Sequence, residues 1–259
     1  YEHMIRPLTA MNSEVFVKEV FTLENFVWAY SVVWSRVFPI QFTDRDGVKR
    51  VLPTLLPLID ILNHKSGENV TYYTNEQDHT FALRSSAALR AGQQVFNNYG
   101  GKSNDSFLLS YGFVVENNTQ DTLYIQLGLA GDEDQIQYKN RLLEMNGLKL
   151  GYYLKKNEIP VELFKSLRIV LLDDEEMYHF RNEQIENHVT VSFRNEMQVF
   201  GIKKQLRQKL LNFETSVEHD IEQLSKLQSK RANNEQLTKT EQRLIDILIY
   251  RIGQKQILH

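Results

Sequence analysis

Three short clusters of polar and aromatic residues carry the side chains able to do chemistry. Asp60-Ile61-Leu62-Asn63-His64 ends an apolar run that starts at Val51. A carboxylate, an amide and an imidazole at the end of a buried strand can line a cleft, or they can close a turn through local backbone hydrogen bonds. Phe96-Asn97-Asn98-Tyr99-Gly100-Gly101-Lys102-Ser103-Asn104 places two glycines after a short strand. Glycine lets backbone approach a ligand closely, and the same pattern also makes an ordinary hairpin loop. The phosphate-loop spacing is not met. Tyr111-Gly112-Phe113 follows twelve residues after Tyr99. Aromatic rings grouped in this way can cage an ammonium group or fill a core. His79 is the other histidine near His64, and no carboxylate stands at ligand spacing, so a metal site is not expected.

The elements that would hold these clusters change character along the chain. Thr22 can cap a helix in which Phe26, Tyr30, Val33 and Val37 recur with helical period. Asp46-Gly47 reads as a turn, and Val51 to Leu58 as extended chain, because Pro53 and Pro57 disfavour helix. Short strands are expected at Val70 to Tyr73, Thr80 to Leu83 and Val95 to Phe96. After about residue 131 the helical period dominates. Helices are expected over Asp132 to Met145 and Val161 to Leu172, and again after a capping box at Thr238 and Glu241.

Composition narrows the function classes. The 259 residues suffice for one large domain or two ordinary ones. An aromatic content of 11% and a hydrophobic content of 42% are those of a globular chain, and a net charge of −3 argues against nucleic acid as the main partner. With no cysteine there is no disulfide, thiolate–metal site or thiol nucleophile, which fits a reducing compartment. The Val51 to Leu62 run is too short and too interrupted to span a bilayer.

In order and spacing, the clusters together resemble SET-domain protein methyltransferases of the Rubisco large-subunit methyltransferase-like branch. That branch includes ribosomal-protein lysine methyltransferases and the actin-histidine methyltransferase. The matching segments are Ser35-Arg36-Val37-Phe38, Leu55 through His64, Gln94 through Gly100, Ser103-Asn104 and Leu108 through Phe113. Arg251-Ile252-Gly253-Gln254-Lys255 is similar to part of the closing helix of the branch's substrate-binding domain.

The resemblance implies an α+β chain. Residues 1–37 would end a helical insert, 38–118 would form the C-terminal half of a β-rich SET core, and 119–259 an all-α substrate-binding domain. It implies S-adenosylmethionine as cofactor, without a metal, held by Arg36, Asn63, His64, Tyr99 and Phe113. Tyr99 would be catalytic. Phe38, Asp60 and Tyr111 would line the channel for the target side chain, with Tyr72 or Tyr73 as a weaker candidate. The implied activity is protein-lysine N-methylation of a non-histone target such as a ribosomal protein, by a monomer in the cytoplasm or nucleus. A histidine acceptor and a non-catalytic binding module are the alternatives.

Two departures qualify the resemblance. The Gly-x-Gly half of the SET fold is not matched within Tyr1 to Ser35, so the sequence reads as part of a longer polypeptide. Asn97 is polar where the family has an apolar strand residue. The acidic run Asp173 to Glu176 could attract a lysine-rich target or simply end a helix in solvent.

Overall fold

The structure is a computed structural model that describes residues 1–75, 80–183 and 191–259, with side chains described to residue 179 in the middle stretch. His79 lies outside the described residues. The chain divides into two compact units. The first comprises Tyr1–Lys102 with Leu108–Gly112, and the second Ser103–Phe107 with Phe113–His259.

The first unit begins with α1 (Ile5–Met11) and α2 (Leu23–Arg36). Thr22 caps α2 by accepting the Asn25 N–H at 3.2 Å, and Glu24 adds a favourable charge to the first turn. The chain passes directly from Arg36 into β1 (Val37–Thr43), which pairs antiparallel with β2 (Lys49–Leu55) across a turn at Gly47, φ 78°. Pro39 faces Pro53 in that ladder, so neither strand supplies an N–H there.

Leu58 then takes φ 76° and ψ −37°, a left-handed conformation costing a non-glycine residue about 1–3 kcal/mol. This bend leads into a 3₁₀ turn at Ile59–Ile61 and β3 (Asn63–His64). β4 (Val70–Asn75) and β5 (Thr80–Ser85) form a second antiparallel hairpin. β6 (Phe96–Asn97) pairs in parallel with β3, setting Asn63 opposite Phe96 and His64 opposite Asn97. The extended segments expected around residues 70, 80 and 95 are thus present with ends shifted by a residue or two, whereas the one expected over Val51 to Leu58 runs from Lys49 to Leu55 and stops short of the bend at Leu58.

Helix α3 (Asn104–Tyr111) bears residues of both units. The second unit continues with the hairpin of β7 (Leu123–Gln126) and β8 (Gly151–Leu154). Around it are α4 (Glu133–Met145), α5 (Val161–Val170), α6 (Asp174–Glu183), α7 (Phe193–Phe200), α8 (Ile202–Leu210), α9 (Val217–Ala232) and α10 (Lys239–Leu258). The capping box at Thr238 and Glu241 forms, and Asp132 with Gln135 makes another at the start of α4. Ile125, Leu154, Leu163, Val199 and Leu206 share one apolar cluster, and Leu142, Leu143, Ile169 and Met177 another. Leu224, Leu227, Ile245, Leu248 and Ile252 form a third where α9 meets α10.

A buried carboxylate ties the last two helices. Asp220 is wholly buried and accepts from Arg251 Nε at 2.7 Å, Lys255 Nζ at 2.6 Å and Thr215 Oγ1 at 2.7 Å. Burial alone would raise its pKa. The hydrogen bonds from Arg251, Lys255 and Thr215 outweigh that and hold it down to about 2. Gly253 fits here because α10 runs close to Asp121: a Cβ at 253 would stand 2.4 Å from Asp121 Oδ2. Asp121 is in turn fixed by the backbone N–H groups of Asn104 at 2.9 Å and Thr122 at 3.2 Å.

Candidate active site

A cavity of about 870 Å³ opens in the first unit where the end of α2, the β1–β2 hairpin, the 3₁₀ turn, the segment after β6 and the end of α3 converge. Its volume lies in the range of small-molecule sites. Arg36, Phe38, Asp60, Tyr72, Tyr99 and Tyr111 all line it.

Tyr99 stands at the centre of its polar contacts. The phenol donates to Leu62 O at 2.7 Å, and the Tyr99 N–H donates to His64 Nδ1 at 3.0 Å. The phenol thus spends its proton on a carbonyl, and a phenol oxygen is able to accept as well as to donate. Burial, reinforced by the neighbouring Tyr111 and by Asp60 and opposed by Arg36, raises the Tyr99 pKa, so the group remains a neutral phenol at neutral pH. The Tyr111 ring lies 4.8 Å from that of Tyr99 at 32°, and burial likewise raises its pKa.

The other wall is aromatic as well. Phe38, 8% exposed, sits edge-on to Tyr72 at 6.2 Å and to Phe81 at 6.1 Å. Strand alternation separates the two adjacent tyrosines of β4. Tyr72 lines the cavity, whereas the Tyr73 ring lies 5.7 Å beneath the Arg84 guanidinium. Arg36 Nη1 donates to Asp60 Oδ2 at 3.1 Å and to Asp60 O at 3.3 Å. This pair is partly exposed, so it is worth little and a ligand can separate it.

Asn63 and His64 occupy the adjoining strand rather than the cavity lining. Asn63 is exposed. His64 packs behind Tyr99 at a ring separation of 5.2 Å, with Nε2 at 3.1 Å from Ser66 Oγ. Burial lowers its pKa, and accepting the Tyr99 N–H requires an unprotonated Nδ1. Phe113 belongs to the second unit, where its ring stacks on Phe107 at 5.1 Å.

Asn97 has more to do than sequence reasoning foresaw. It lines the cavity at 4% exposure, and its Oδ1 accepts the Asn98 N–H at 2.7 Å, which orients the amide. Every fully buried side-chain nitrogen and oxygen among the described residues has a partner. The Asn97 Nδ2, which donates to no described group, therefore keeps access to the cavity. The signal in the sequence was a polar residue inside a strand otherwise apolar. Asn98 braces the loop by donating to Glu68 O at 3.1 Å and accepting from the Gly100 N–H at 3.0 Å.

The acidic run behaves mainly as helix-end chemistry. Asp173 Oδ1 accepts the Glu176 N–H at 3.0 Å, and Glu176 Oε2 accepts the Asp173 N–H at 3.0 Å. Glu176 also binds Asn195, and Asp174 binds Gln135. Among the described residues, no group of three or more His, Asp or Glu is placed to hold a metal ion, and no helix is long and apolar enough to cross a membrane.

A family model described as Rubisco LSMT substrate-binding matches residues 130–258. The actin-histidine N-methyltransferase of Canis lupus familiaris is 30% identical over 220 residues, covering 79% of this chain and 36% of that protein. The ribosomal lysine N-methyltransferase of Schizosaccharomyces pombe is 35% identical over 127 residues, covering 49% of this chain and 23% of its own. Rubisco LSMT bound to AdoMet superposes with a TM-score of 0.71 at 24% identity, covering 99% of this chain and 56% of that one. Rubisco LSMT bound to sinefungin and monomethyllysine gives 0.71 at 22%, covering 99% and 57%. The chain thus spans little more than a third of the actin-histidine relative. The matched substrate-binding segment, the SET fold shared with Rubisco LSMT and the similarity to the ribosomal enzyme agree: this chain belongs to the Rubisco large-subunit methyltransferase-like branch of SET-domain proteins.

Proposed function

We propose that the protein is an S-adenosylmethionine-dependent protein-lysine N-methyltransferase acting on a non-histone protein such as a ribosomal protein. The observation that carries this reading is the aromatic cavity: Phe38, Tyr72 and Tyr111 surround a phenol whose proton is held by Leu62 O. The lining suits a sulfonium cofactor, because it is rich in aromatic rings, and among the described lining residues the cations are Arg36, paired with Asp60, and Lys102. Arg36 would hold the cofactor together with Asn63 and His64 from the adjoining strand. When bound, the cofactor supplies an electrophilic methyl group.

The chain's own residues do the rest. A lysine ammonium, with pKa near ~10.4, is no nucleophile until it loses a proton. The apolar rings of Phe38 and Tyr72 disfavour the charged form and lower that pKa. The Tyr99 hydroxyl oxygen can accept from the resulting amine and fix its orientation. Alignment of this kind can contribute up to roughly 7–11 kcal/mol. The tyrosines confine the nitrogen and so limit how many methyl groups it takes.

A histidine acceptor is the second reading, favoured by the activity in the names of the 30%-identical relatives. The test is methyl-labelled S-adenosylmethionine with the full gene product and proteins of its own cells, read by mass spectrometry. Label on a lysine ε-nitrogen is expected. Label on an imidazole would replace the lysine reading with the histidine one, and no label would reject both.

A further inference from the structure

The cavity lining carries two kinds of surface. The part already described is polar and aromatic. Beside it, α2 contributes Tyr30 and Trp34, one turn apart with rings 5.9 Å from each other. Their exposures are 56% and 52%. Pro39 of β1 and Val51 and Pro53 of β2 line the same cavity.

Tyr30 and Trp34 each carry one polar group, a hydroxyl and an indole N–H, on a large apolar ring. The prolines stand opposite each other in the ladder and have no N–H to give. Ser31 Oγ donates to Val27 O at 2.8 Å and Ser35 Oγ to Val32 O at 3.1 Å, so both hydroxyl protons on this helix face are spent on the helix itself. The acid of the cavity, Asp60, is paired with Arg36, which leaves no free carboxylate to draw in a cation. Two half-exposed aromatic rings beside a proline pair make a surface stabilised by apolar cover.

We propose that Tyr30, Trp34, Pro39 and Pro53 form a second subsite, which takes the residue neighbouring the target lysine in the protein substrate and selects an aliphatic or prolyl side chain there. The inference rests on the methyltransferase reading and on continuity: one cavity joins Tyr99 to Trp34. A chain that delivers its lysine to Tyr99 would bring a flanking residue to this wall of the same cavity.

The experiment uses the full gene product and an oriented library of short peptides with a central lysine and one flanking position varied at a time. Transfer is expected to favour aliphatic residues and proline over charged ones by about tenfold at one flank, equivalent to ~1.4 kcal/mol. Trp34→Ala should erase that preference and raise KM for the preferred peptide about tenfold. Its kcat and its KM for S-adenosylmethionine should stay within about twofold, and Trp34→Phe should restore most of the preference. Transfer with no flank preference overturns the subsite while leaving the methyltransferase reading intact. A Trp34→Ala effect on KM for S-adenosylmethionine alone would assign the wall to the cofactor and overturn it too. No transfer to any lysine in the library overturns the subsite and the reading beneath it together.

Discussion

The two units bury their side chains in opposite ways. In the first, Phe38 and Asn97 are the buried residues among those described, while Trp28, Trp34, Val51, Leu58 and Tyr72 remain exposed. In the second, three apolar clusters form, and Asp220 and Lys255 are buried. Apolar area removed from water is the main source of folding free energy. Stability therefore concentrates in the second unit, and the reactive groups concentrate in the first, where aromatic surface stays available for a ligand. Substitutions in the two units should separate accordingly into those read by unfolding and those read by transfer.

The largest stability effect should come from Asp220→Asn. It leaves Lys255, 1% exposed, and Arg251 facing a neutral amide, and breaking a buried ion group costs about 3–5 kcal/mol. Denaturant unfolding checks this, and a change below about 1 kcal/mol would remove the contrast between the units. Acid should act through the same carboxylate. Its folded pKa of about 2 lies below that of the unfolded chain, so its contribution is complete above pH ~4 and is lost as pH falls toward 2, roughly 2–3 kcal/mol in all. In Asp220→Asn that part of the pH dependence should vanish.

Gly253→Ala should cost about 1–2 kcal/mol, because the new methyl group meets a carboxylate that the backbone holds in place, partly offset by the better helix propensity of alanine. A stabilised protein would show that α10 can move away from Asp121. A smaller effect should appear in the first unit. The His64 pKa is lowered below its usual 6.5, so its neutral form, and the Tyr99 N–H bond it accepts, persist at pH 7 and fail as pH drops further. Transfer should therefore decline as pH falls below the usual imidazole range, and His64→Asn should move that limb.

Much of this was legible in the sequence, for identifiable reasons. Caps at Thr22 and Thr238 and the helical periods after residue 131 are local signals, and local physics decides them. The grouping of Arg36, Phe38, Asp60, Tyr72, Tyr99 and Tyr111 came from the resemblance, which carries long-range information that spacing lacks. What escaped was set by tertiary contact. The Arg36–Asp60 pair joins residues 24 positions apart. The free face of the Asn97 amide depends on how the Asn98 backbone orients it. Only alternation within β4, fixed once Phe38 is in place, separates Tyr72 from Tyr73. The Leu58 bend has no residue signature, since a glycine would be the usual choice at φ 76°.

The most direct test is Tyr99→Phe in the full gene product, measured at once for methyl transfer and thermal unfolding. Loss of the hydroxyl removes one contact to Leu62 O on the rim of an already open unit, so the melting temperature should shift by no more than a few degrees. Transfer should fall by about 10²–10³-fold, as removal of a group that orients the reacting centre typically does. Undiminished transfer would contradict the account, and so would a loss of transfer that simply follows a loss of folded protein.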